Sequence, residues 1–134
     1  MIEEPGAGTD MRLPPEQQQS LKADLAREGK ALADAQAEVA RNKAALDKAL
    51  ANAKGKPRGS EPWSDAQMAL SRFDLARAPF GEIEARMTPL LRMVDSLDSE
   101  DPDRQTVENL ATAATRASAD AERRVQTAGA ALAL

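Results

Sequence analysis

Residues 21–49 read LKADLAREGKALADAQAEVARNKAALDKA, and their spacing decides the fold. Leu25, Leu32, Val39 and Leu46 stand seven residues apart, with Leu21, Ala35 and Ala49 in the companion positions. Alternating steps of three and four put these side chains on one stripe of an α-helix. Such a stripe is the seam of a helix packed nearly parallel to its neighbours. Pro14 and Pro15 open the helix, because a first turn tolerates a residue without an N–H. Gly55-Lys56-Pro57-Arg58-Gly59 closes it with C-cap glycines and a proline, so the expected helix covers residues 14–54.

The same period continues beyond that turn. Ala66, Leu70, Phe73, Phe80, Ile83, Met87, Leu90, Val94 and Leu97 form the stripe of a second helix, expected over residues 62–97. Ser64-Asp65-Ala66-Gln67 fits a capping box, and Trp63 with Met68 fits a hydrophobic staple; Ser60 is a rival cap one turn earlier. Pro79 and Pro89 fall inside the pattern, where each removes a backbone hydrogen bond and crowds the carbonyl four residues back. The expectation is one helix kinked near Pro79, with a break at Ala78-Pro79-Phe80-Gly81 as the alternative. Asp101 before Pro102 caps a third helix over residues 102–132, and acidic Asp98, Glu100, Asp101 and Asp103 suit its positive end. Its stripe of Val107, Leu110, Ala114, Ala117, Ala121, Val125 and Ala128 is narrow and lets backbones approach closely.

Short turns make successive helices antiparallel neighbours. The expected fold is all-α: an elongated, coiled-coil-like three-helix bundle running up, down and up, over residues 13–134. Residues 1–12, with Pro5, Gly6 and Gly8, read as a disordered tail. Polar residues on the seam predict cross-helix partners. Asn42, Arg77 and Glu122 should form one layer, and Glu28 should meet Arg86.

Composition narrows the function. The 134 residues carry 18 Lys and Arg against 22 Asp and Glu, with no His and no Cys. A disulfide framework, an imidazole or thiolate metal site and a Ser-His-Asp or Cys-His mechanism are therefore outside this chain's means. Gly6-Ala7-Gly8 and Gly55-Lys56 fall short of nucleotide-binding loops, and Asp98–Asp103 lacks the glycine and terminal Glu of a calcium loop. Glu82 and Glu84, two apart, face different sides of a helix. No enzymatic activity and no cofactor are expected. No apolar run reaches ~18 residues and the acidic start has no signal-peptide core, so a cytoplasmic protein is expected. A periplasmic one, after removal of a signal, is the alternative. Abundant Ala, Arg and Asp over Ile, Asn and Tyr suggest a GC-rich bacterial source.

Surface is what remains. The second helix holds Trp63, Phe73 and Phe80, and Met68, Leu75, Leu91 and Met93 lie off its main stripe. A helix apolar on more than one face is either central or shared with a partner. Trp63, Met68, Phe73, Leu75 and Phe80 are accordingly the candidate contacts with another protein, in a small adaptor or regulator. Self-association is also expected, because an Ala-rich core is thin. Two alternatives stand beside this: a structural or cell-envelope spacer, and an anion or nucleic-acid binder acting through Lys54, Lys56 and Arg58. Nucleic acid is the less expected partner, since the chain is net acidic and the basic turn lacks interleaved aromatics.

The run from Leu32 to Lys54 resembles the coiled-coil hairpins of periplasmic adaptor proteins. The likeness covers one helix, and the lipoyl and barrel strands of that family have no counterpart here, so no family is assigned.

Overall fold

A computed structural model describes residues 12–133. Among these the chain is all-helical, with no strand: α1 (Pro15–Ala53), α2 (Glu61–Ala76), α3 (Ala78–Val94) and α4 (Pro102–Ala133). The tail expected over residues 1–12 lies outside the described residues except for Arg12.

α1 is the long helix that the heptads predict, and its 39 residues span roughly 58 Å at ~1.5 Å each. Pro15 sits in its first turn and Pro14 at its cap. The chain leaves it through Gly55 (φ 78°) and Gly59 (φ 85°), a left-handed backbone that a Cβ would strain. α2 starts one turn before the expected capping box. Ser60 takes the cap position in extended conformation, and Pro62 occupies the first turn. The Ser60 hydroxyl donates back to the Pro57 carbonyl at 2.6 Å and does not cap the helix. Proline needs no partner for an N–H it lacks, so the helix begins around it and Ser64 is left inside. The staple is absent as well: Met68 is exposed, and the Trp63 indole N–H donates to the Leu132 carbonyl at 3.3 Å.

The middle segment is two helices. The interruption is Arg77, two residues ahead of Pro79, where the backbone stays near helical (φ −82°, ψ −11°). Pro79 has no N–H for the Leu75 carbonyl, and the Phe80 N–H closes a tighter turn onto Arg77 at 3.1 Å. Pro89 lies within α3 without interrupting it. Both Pro89 and Ala85, whose carbonyl loses its partner, are exposed, so water can satisfy that carbonyl. At α4 the expected cap forms: Asp101 Oδ1 accepts the Asp103 N–H at 2.8 Å.

The core follows the stripes. Leu21, Leu32, Ala35 and Leu46 of α1 meet Phe73 of α2, Phe80, Ile83, Met87, Leu90 and Val94 of α3, and Val107, Ala114, Ala121 and Ala128 of α4. Leu25, Val39, Ala49, Leu70, Leu110, Ala117 and Val125 pack against them partly buried. α1 lies chiefly along α2, and α3 chiefly along α4.

One charged side chain is inside. Glu28 is 1% exposed, and the Arg86 Nε–H donates to both its oxygens at 2.8 and 2.9 Å. This is the partner that the seam pattern predicted. The other layer forms in part. Arg77 donates to Glu122 at 2.8 Å and to Asp74 at 2.7 Å, whereas the Asn42 side chain donates to the Glu38 carbonyl of its own helix at 2.9 Å. The charge reaching α1 from α4 is Arg124, which pairs with Asp47.

Candidate interaction site

Two surfaces stand out, one at the end of the helices and one along α2. The first surrounds the α1–α2 turn. Leu50 and Ala53 from the last turns of α1, Trp63 from α2 and Leu132 from α4 line a cleft of about 740 Å³. Lys54, Lys56 and Arg58 belong to its wall. The apolar floor is a satellite of the main core, in which Ala53, Ala66 and Leu132 are buried and Trp63 and Leu70 pack against them. The Arg58 guanidinium lies 5.6 Å from the centre of the Trp63 ring, within range of a cation–π contact. The sequence marks the three basic residues and the tryptophan separately. Leu132 it does not mark, because 69 residues separate it from Trp63 and only helix packing joins them.

The basic residues of this turn stand close together in sequence, at positions 54, 56 and 58. Along the helices, several cations meet acids three or four residues away, as Lys43 meets Asp47 and Lys30 meets Asp34, both at 2.9 Å, while Lys22, Arg72, Arg92 and Arg116 have no such partner among the described residues. The Asp34 hydrogen bond holds the Lys30 ammonium above its ordinary pKa, and the Lys43 hydrogen bond holds the Asp47 carboxyl below its own. Lys48, Lys54, Lys56 and Arg58 form no direct ion pair among the described residues, although Glu61 and Asp65 lie beside Lys48 and Lys56.

The second surface is the outer face of α2. Met68 is 53% and Leu75 76% exposed, and seven residues apart they share one side of the helix. Ser64, Gln67, Ser71 and Arg72 flank Met68 in a shallow depression. The five candidate contacts thus divide. Met68 and Leu75 are accessible, and Trp63 is half-buried in the end cleft. Phe73 and Phe80 are each 1% exposed, and that corrects their reading as contacts. They bring the largest apolar areas to the inner stripe, so burying them yields the most free energy. Only their edges approach the surface, in a groove of about 260 Å³ beside the Arg77 interruption with Val39, Ala117 and Arg124.

Among the described residues no cluster of His, Cys, Asp or Glu could hold a metal ion, and no helix is long and apolar enough to cross a membrane. The chain matches no protein-family model, no curated protein and no solved structure.

Proposed function

We propose that the chain is a non-enzymatic interaction module, an adaptor or regulator that contacts a partner protein through the outer face of α2. The observation that carries this reading is the exposed pair Met68 and Leu75. Large apolar side chains exposed on one helical face gain from being covered. Methionine, flexible and polarisable, suits a surface that adapts to its partner.

The finer architecture belongs to the same proposal. Cross-helix pairs run in opposite senses: Trp63 meets Leu132 while Arg77 meets Glu122, and Glu28 meets Arg86. As numbering rises along the middle segment it falls along its partner, which supports an antiparallel up-down-up bundle with α2 and α3 as its interrupted middle arm. In that arrangement the basic first turn and the acidic second turn lie at opposite ends. Self-association through α2 is the second part of the reading.

The test is affinity capture from the native cell with wild type and with Met68→Ser plus Leu75→Ser. Partner recovery should fall for the double variant while its thermal unfolding stays unchanged. Equal recovery from both would remove α2 as the contact face.

A further inference from the structure

The end cleft is a second binding surface, distinct from the α2 face. We infer that it binds a short acidic peptide segment of a partner protein, one that carries an apolar side chain beside its carboxylates. This rests on the reading of the chain as an interaction module and names the chemistry of one partner.

Three observations point to that ligand. The cleft has two kinds of wall, an apolar floor of Leu50, Ala53, Trp63 and Leu132 and a basic rim of Lys54, Lys56 and Arg58. A ligand that satisfies both must join an apolar body to an anionic group. The rim cations have no carboxylate partner among the described residues, although the chain carries four more acids than bases. An acidic segment would supply that partner, and the two surfaces are complementary in charge. The volume, about 740 Å³, suits one or two side chains and not a bulky domain.

The same observations disfavour other polyanions. The unpaired rim cations are confined to one turn, and Glu61 and Asp65 share a neighbouring depression with Lys48 and Lys56. A long nucleic acid leaving the cleft would meet those carboxylates and then an acidic molecule. A lipid surface calls for apolar side chains that protrude, whereas the Trp63 indole is turned inward onto the Leu132 carbonyl. Exposed ion pairs alone contribute little. Burying an apolar side chain against Trp63 removes water from them and strengthens them.

Trp63 is the sole tryptophan, so its emission reports on the cleft directly. The experiment titrates the full chain with three tryptophan-free synthetic peptides: one of alternating Glu and Leu, one with Ala in place of Leu, and one with Lys in place of Glu. Only the Glu–Leu peptide should shift Trp63 emission saturably. Raising the salt from 50 to 500 mM, roughly a threefold shorter screening length, should weaken it severalfold. Lys54→Glu, Lys56→Glu and Arg58→Gln together should weaken it at least about tenfold, with circular dichroism unchanged. Met68→Ser plus Leu75→Ser should leave the titration intact, so failure of the α2 face and of the cleft are told apart. Equal response to all three peptides overturns the inference. So does a response to anionic lipid vesicles, single-stranded DNA or inorganic phosphate that exceeds the peptide's, or an emission shift on concentrating the chain alone, which would make a second copy the occupant.

Discussion

At Glu28 the balance of desolvation and pairing decides what a substitution does. Its carboxylate has left water and depends on Arg86, with Arg27 Nε at 3.4 Å a weaker neighbour. Arg86 itself is 45% exposed and can turn to solvent. The pair is therefore asymmetric. Arg86→Ala strands a buried charge and should cost about 3 kcal/mol in urea denaturation. Glu28→Leu keeps the volume, frees Arg86 and should come within about 1 kcal/mol of wild type. Equal losses from both would show that the carboxylate is not dependent on Arg86. Asp47 gives a pH signature. The Lys43 hydrogen bond lowers its pKa against the opposing effect of burial, and Arg124 adds to the lowering. A carboxyl depressed on folding contributes stability above its unfolded value, ordinarily 3.8, and loses it as pH falls through the folded value. Asp47→Asn should flatten the acid limb of the stability curve below about pH 4 and leave the neutral region nearly unchanged.

Within the elements, the stripe separates side chains that look alike in sequence. Phe73 and Leu75 are two residues apart on α2, one in the core and one in water. Phe73→Ala should cost about 3–5 kcal/mol by cavity formation. Leu75→Ala should stay within ~0.5 kcal/mol. Ala114 is fully buried on α4, where small size sets the distance between helices. Ala114→Leu should cost about 1–3 kcal/mol by overpacking, and thermal unfolding reads all three. The two internal prolines teach the same lesson. Pro79 accompanies an interruption, with the Phe80 N–H closing a tighter turn onto Arg77, and Pro89 does not interrupt α3.

At the scale of the molecule, a core built largely from alanine and leucine stripes buries little area per residue, and covering Met68 and Leu75 adds to it. Sedimentation over a dilution series should show reversible association that Met68→Ser plus Leu75→Ser abolishes. A strict monomer at high concentration removes self-association from the proposal. In the proposed up-down-up arrangement the two ends differ in charge: Lys54, Lys56 and Arg58 crowd one turn, and Asp98, Glu100, Asp101 and Asp103 the other. A ligand of either sign is therefore steered to a particular end at low salt.

The helical class, the extents of α1 and α4, the inner stripes and the Glu28–Arg86 pair were all legible in residue order, because helical periodicity is local and a seam charge needs an opposite charge at the mirrored height. Asn42 was misread for the same reason: its amide found the Glu38 carbonyl within its own helix, nearer than any partner across the bundle. Where the middle segment parts, that Phe73 and Phe80 are withdrawn from any partner, and that Leu132 closes the cleft beside Trp63 were settled only in three dimensions. Those depend on how three stripes share one core, and composition and spacing do not specify the rotation of each helix about its axis.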